Sequence, residues 1–355
     1  MDAGLKGRAT VDAAEHDRGV AEVRFLENLQ LVLAESLTNS TYKYALLIAL
    51  ADICIEDAPL DDQAALTIPI PRIAEKFLEL YWGHGRPYGT GLPGTTSRTL
   101  LQNRGNQAAV IRKADALREA LVSPTRARAD PRWHRDVARV ARLLDEMPLW
   151  RLQRLHTTTL DFLYPANPKG DSITLRPGVA ACFRRFHALV VRLVQAEWMA
   201  FLYDVPGNED VLGSAGDLAN FLFGPQRESL ARARPKLHDL QNGRCFYCAD
   251  ALRGPGEVDH FIPWSRYPRN LVHNLVVAHR ACNNAKSDVL AGQEHRQNWM
   301  SHVVSHDATL CEIGTSNGLM ADRMAALHVA DWCYAEARRV GADVWILGNQ
   351  YQPLE

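Results

Sequence analysis

A predominantly α-helical protein is what this sequence predicts. It has a large N-terminal helical region, a small module of different composition after it, and helices again towards the C-terminus. Three observations lead there. Apolar residues recur at helical spacing through most of the first 240 residues. Alternating apolar and polar runs, the mark of half-buried strands, are scarce before residue 245. Cysteine, histidine, asparagine and aspartate then crowd into residues 245–288, a stretch unlike the rest of the chain.

The elements follow in order. In VAEVRFLENLQLVLAESL, residues Val20, Val23, Leu26, Leu29 and Leu33 fall close to a helical period. SLTNSTYKYALLIALADI restarts the pattern, with Asn39 or Ser40 placed to cap it. Its apolar run YALLIALADICI is short of the roughly 18 residues of a membrane span, and predicts a buried core helix. The acidic EDAPLDDQ separates it from a helix in IPIPRIAEKFLELYWG, whose start Pro71 marks. GHGRPYGTGLPGTTS is a Gly/Pro-rich loop. Helices are expected near 103–122, 131–145 and 176–203, then over 209–223 and 225–240. At QNGRCFYC the pattern changes. GEVDHFIPW and NLVVAH are short strand-like runs, and RACNNAKSDVLAG is helical. HRQNWMSHVVSH and ADRMAALHVADWCYAEARRV are helices, and ADVWILGNQY is an extended or strand segment. The expected units are a helical domain over 1–225, the distinctive module over 226–300 and a C-terminal helical extension over 301–355.

Composition bounds the class. With 47% hydrophobic and 23% charged residues, the chain matches an ordinary soluble globular protein. The first twenty residues contain no apolar signal core, and seven cysteines are an odd number for a disulfide framework. A reducing cytoplasm, with no membrane association, is the expected setting. Cys54, Cys182, Cys311 and Cys333 stand singly among apolar residues, as small buried hydrophobes do. Net charge is −1, but it is unevenly spread. Residues 1–80 hold 14 acids and 7 bases, whereas residues 98–155 hold 13 bases and 6 acids. The second segment is almost all arginine and suits either phosphate binding or a solvated face neutralised by the first.

Within 245–288, Cys245 and Cys248 form a C-x-x-C pair, the spacing at which two thiolates of one turn reach one ion. His279 and Cys282 repeat that spacing after 30 intervening residues, long enough for a hairpin. The four together are an accepted structural zinc set. A redox C-x-x-C would want a βαβ context that this chain lacks, and three free cysteines are the remaining alternative. Between and beside these pairs lie Asp259, His260, Asn274, Asn283 and Lys286.

In that order and spacing, the stretch over about 241–290 resembles the zinc-bearing subset of the HNH endonuclease family. The resemblance implies a ββα-metal fold, two short strands and a helix around a divalent ion, so that the chain is a helical region followed by a zinc-stabilised HNH module. It implies metal-dependent hydrolysis of DNA phosphodiesters, with double-stranded DNA as the expected partner. His260 takes the place of the general base. Asp259 and Asn283 take the places of the ligands of the catalytic ion, Mg²⁺ or Mn²⁺. The family's third letter is here asparagine, an H-N-N variant. Asn284 is a competing ligand, set aside because Asn283 keeps the N-x-x-K distance to Lys286. Asn274 takes the place of the residue that ties the hairpin backbone and orients the base. Lys286 and Arg280 are expected phosphate contacts, and Trp264 and Tyr267 either stack on bases or ribose or cap a small core. His273, His295, His302 and His306 are expected to be ordinary satisfied histidines. TYKYALLIALADI and IAEKFLELYW resemble the helical N-terminal regions of bacterial HNH proteins, some found in restriction or phage-defence neighbourhoods, which suggests partner proteins of such a system. Two other functions fit parts of the pattern: a zinc-bearing nucleic-acid-binding protein without catalysis, and an RNA-directed nuclease.

Overall fold

The computed structural model describes residues 2–35, 38–89, 98–121, 123–156, 158–166, 170–212, 217–224 and 227–354. Its helical body starts with α1 (Asp2–Glu35) and α2 (Tyr42–Glu56), then β1 (Leu66–Pro69) and α3 (Ile70–Tyr81). The two-residue strand β2 (Pro87–Tyr88) lies within the predicted Gly/Pro loop and pairs with β3 (Arg98–Thr99) just after it; residues 90–97 of that loop lie outside the described residues. Next come α4 (Ala109–Leu121), α5 (Pro124–Arg128), α6 (Pro131–Glu146), α7 (Pro148–Arg151), β4 (Ser172–Leu175), α8 (Val179–Arg185) and α9 (His187–Tyr203). The body closes with α10 (Glu209–Leu212), α11 (Leu218–Phe223) and α12 (Arg227–Leu240). Residues 213–216, between α10 and α11, and the expected domain end at residue 225 lie outside the described residues.

Local chemistry explains most of these starts. Ser123 and Asp130 each accept a hydrogen bond from a backbone N–H of the following turn, Arg126 and Arg132 respectively, and each precedes a proline in the first turn. Helix α2 is apolar all round and buried continuously from Tyr44 to Glu56, with α3, α8, α9 and α16 (Arg323–Arg339) packed about it.

Departures from the sequence expectation include the following two. The helix expected over 176–203 is broken at Phe186, where no glycine or proline marks a break; the offset puts His187 opposite Asp52 at 2.9 Å. Strands β1 and β4 pair antiparallel, Thr67 opposite Thr174, joining segments 107 residues apart. Four-residue strands are too short to show an alternation, and a partner so distant is invisible to local pattern.

After α12 the chain forms the antiparallel pair β5 (Glu257–His260) and β6 (Leu275–Ala278), then α13 (Arg280–Lys286). Helices α14 (Gln293–Ser305), α15 (Asp307–Asn317) and α16 follow, and the hairpin β7 (Asp343–Leu347) with β8 (Gln350–Pro353) ends the fold. The predominantly helical architecture with a small ββα module is therefore as expected. Tyr247, Phe261, Trp299, Val329 and Trp345 share one core, so the module and the C-terminal elements pack as a unit. Ile55 of α2 joins that core, which seats the module against the helical body. No helix among the described residues is long and apolar enough to cross a membrane.

Candidate metal centre and active site

The C-x-x-C turn is shaped by its backbone. Cys245 N–H donates to Asp250 O at 2.9 Å and Ala249 N–H to Cys245 O at 3.0 Å, with Ala249 in the left-handed region (φ 61°). Gly256 opens β5 at φ +64°, where a Cβ would stand 2.5 Å from Val277 Cγ1; only glycine fits. The strand pair then carries His279 back over the turn. The donor atoms of Cys245, Cys248, His279 and Cys282 lie within 4.8 Å of one another.

The surrounding bonds suit a metal. His279 Nε2 meets Ala251 O at 3.3 Å, which directs Nδ1, 3.3 Å from Cys248 Sγ, towards the sulfurs. His279 N–H donates to Cys245 Sγ at 3.3 Å. Burial opposes ionisation of Cys245, but the N–H groups of Cys248, His279 and Tyr247 outweigh it and bring its thiol below the ordinary range. Cys282 is pushed up to about 12 by burial and by the neighbouring Cys245 and Cys248. A cation relieves such crowding of thiolates, and Cys3His is a zinc donor set.

Cys282 is followed directly by Asn283, so this knot fixes the start of α13. Strand alternation sends Glu257 and Asp259 towards that helix. Asn283 Nδ2 donates to Glu257 Oε2 at 3.0 Å. Asp259 Oδ2 accepts from Tyr247 OH at 2.5 Å and pairs with Lys286 Nζ at 3.0 Å. Among the described residues no hydrogen bond engages Asp259 Oδ1 or Asn283 Oδ1. Asp259, His260, Trp264, Asn283, Asn284, Ser287 and Asp288 line one open cavity of about 380 Å³.

His260 ends β5. Its Nε2 meets Asn270 Oδ1 at 2.9 Å and its ring stands 5.2 Å from that of Trp264. Burial holds this histidine below its usual range, with Asn270 and Asp259 acting in the opposite sense. Asn274 is buried and brackets one residue: Oδ1 accepts from Ile262 N–H at 2.7 Å, and Nδ2 donates to Ile262 O at 2.9 Å. That closes the loop leaving His260.

Other expectations change. Lys286 has no exposed surface; its ammonium binds Asp259 and, at 3.0 Å, His260 O. It is therefore a tether beneath the site and not a phosphate contact, because α13 turns this side chain inward. Arg280, by contrast, is exposed beside Glu257. Tyr267 is buried with its hydroxyl on Glu56 at 2.6 Å, so it stacks on no base. His273, Asp307 and Cys311 come together, and Asp307 is held by both His273 Nε2 at 2.9 Å and Arg323 Nη1 at 3.0 Å; His273 Nδ1 is buried without a hydrogen-bond partner among the described residues, so this histidine is only half satisfied.

Sequence reasoning missed Glu257, Tyr247 and Asn270. The alternation of β5 contained the signal for Glu257, two residues before Asp259 on the same face. Nothing local marked Tyr247, which stands edge-on to Trp345 of β7 at 5.2 Å. Nothing local marked Asn270 either.

A strand pair, a short helix that starts within a Cys3His cluster fit for zinc, and an Asp–His–Asn cluster over a cavity define a ββα module of the HNH endonuclease kind. Residues 247–291 match the family model for HNH endonucleases. Residues 22–222, more than half of the chain, match the model of a domain of unknown function (DUF8808), and the chain belongs to that family. No curated protein and no solved structure matches the chain.

Proposed function

We propose that the protein is a metal-dependent endonuclease that hydrolyses phosphodiester bonds in double-stranded DNA. The observation that carries the reading is the common cavity of Asp259, His260 and Asn283, open to a substrate too large to be enclosed. Asp259 Oδ1 and Asn283 Oδ1 are hard oxygen donors, suited to Mg²⁺ or Mn²⁺ and poorly suited to a soft metal. Bound there, such an ion supplies charge neutralisation at phosphorus and at the departing 3′-oxygen. His260 gives its Nε2–H to Asn270, which leaves Nδ1 to take the proton of the attacking water. Tyr247 and Lys286 hold Asp259 Oδ2, Glu257 holds the Asn283 amide, and Asn274 fixes the loop after the base. Zinc at Cys245, Cys248, His279 and Cys282 fixes the framework.

The arginine-rich segment supports a DNA substrate. Arg135, Arg139 and Arg142 are exposed on α6, and Arg151 and Arg154 flank the Trp150 ring. Their chemistry fits phosphate, with restriction or phage defence as the proposed setting.

Plasmid cleavage tests the reading. Wild-type protein with Mg²⁺ or Mn²⁺ converts supercoiled plasmid to nicked or linear DNA. His260→Ala keeps its zinc, fold and DNA affinity while cleavage falls by about 10²-fold or more. Asp259→Ala is partly restored by additional metal. A folded His260→Ala that cuts as fast as wild type refutes the assignment, and wild type that binds DNA without cutting it under any divalent metal favours the non-catalytic alternative.

A further inference from the structure

Asp52 and Glu56 stand one turn apart on the otherwise largely apolar helix α2, at 0% and 1% exposure. Buried carboxylates are costly unless paired and hydrogen-bonded. Their partners come from two sides. Within the helical body, His187 Nε2 faces Asp52 Oδ1 at 2.9 Å, while Lys76 and Arg72 hold Glu56 at 2.7 and 3.1 Å. From the HNH module, Arg269 donates Nε and Nη2 to Asp52 Oδ2 at 2.8 and 2.6 Å, and Tyr267 OH donates to Glu56 Oε1 at 2.6 Å.

Arg269 and Tyr267 lie on the irregular segment between β5 and β6. The next residue, Asn270, is the partner of His260, and Trp264 of the same segment stands against the His260 ring. A segment without a hydrogen-bonded ladder takes its shape from whatever grips it. Asn274 ties its start at Ile262 and Met320 its end at Val272, while α2, more than 200 residues earlier in the chain, grips the stretch between them at Tyr267 and Arg269.

We propose that Asp52 and Glu56 are positioning residues for the nuclease site. The helical domain holds the segment that presents Asn270 to His260, and so sets the orientation of the base. This rests on the reading of His260 as general base and gives the domain of unknown function a part in catalysis. The arrangement also separates the two roles of α2. When the module side is cut, Asp52 keeps His187 and Glu56 keeps Lys76 and Arg72, so the helical body retains its own pairing.

The test uses full-length Arg269→Met and the milder Tyr267→Phe, with Asn270→Ala and Arg269→Lys for comparison. For each, kcat and KM on duplex DNA, zinc content and the ¹⁵N signals of His260 in histidine-labelled protein are measured. Arg269→Met is expected to lower kcat by about tenfold or more, since small misplacements of a catalytic group are expensive. KM and zinc content stay near wild type, and Arg269→Lys recovers part of the rate. Adding Asn270→Ala to Arg269→Met costs little beyond the larger single effect, because both act through one imidazole. The His260 signals pass from a single Nε2–H form towards a mixture of tautomers in Arg269→Met and, less, in Tyr267→Phe. Unchanged kcat with unchanged His260 signals in folded, zinc-loaded variants overturns the proposal, as does a loss confined to KM or to zinc content. If the wild type cuts no DNA, the nuclease reading falls separately. The His260 signals then decide the positioning claim: a shift in Arg269→Met upholds it and no shift overturns it.

Discussion

Lys286→Met separates two accounts of the same residue. A phosphate contact, lost, weakens DNA binding and its salt dependence while leaving the fold intact. The geometry argues for the opposite outcome. Lys286 Nζ lies 3.0 Å from Asp259 Oδ2 and 3.0 Å from His260 O, with the lysine wholly buried. Methionine keeps the length of the stem and removes the charge, leaving Asp259 with Tyr247 OH alone. Removing one partner of a buried pair costs about 3–5 kcal/mol. At about 2–4 °C per kcal/mol for a large domain, the melting temperature falls by about 6–20 °C. A divalent ion that binds the native site returns part of this, growing with its concentration by mass action. The assay is thermal unfolding with and without Mg²⁺, alongside fluorescence anisotropy on duplex DNA using the same preparations. The expected result is a large fall in melting temperature, smaller in Mg²⁺, with DNA affinity within about threefold of wild type. An unchanged melting temperature with DNA affinity reduced about tenfold would refute the buried-tether account.

Further outcomes are expected. Elemental analysis of wild type finds about one zinc per chain, and Cys245→Ser loses it together with the cooperative unfolding of the module, since structural zinc contributes folding free energy; wild type without zinc excludes the site. Reversing Arg135, Arg139 and Arg142 to Glu weakens DNA binding and flattens its dependence on salt, and an unaltered slope assigns that face of α6 to solvent. His84 lies 3% exposed among Tyr81, Trp198 and Phe223, and burial pushes it down to about 4. The folded state then excludes a proton that the unfolded chain binds below about pH 6.5, so stability falls as pH drops from there towards 4 and this contribution levels off below. His84→Phe shows a shallower decline of melting temperature between pH 7 and 4.5, whereas equal slopes assign the decline to other groups.

The sequence by itself determined which residues of the module are its candidate donors and site residues. Metal donors must be particular residue types at particular spacings, so Cys245, Cys248, His279 and Cys282 were legible as one set, while Asp259, His260, Asn274 and Asn283 were legible as site candidates through the resemblance to HNH endonucleases. Helix periodicity, prolines and caps likewise marked most helices, because those signals act within a few residues. Only the tertiary structure decided what lies between distant segments. It paired β1 with β4, broke the expected helix at Phe186, and turned Lys286 inward beneath Asp259. It brought Asp52 and Glu56 to Arg269 and Tyr267, and Trp345 to Tyr247. A buried acid in an apolar helix signals in sequence only that some partner exists. Which partner it meets depends on how whole elements pack, and no local pattern encodes that.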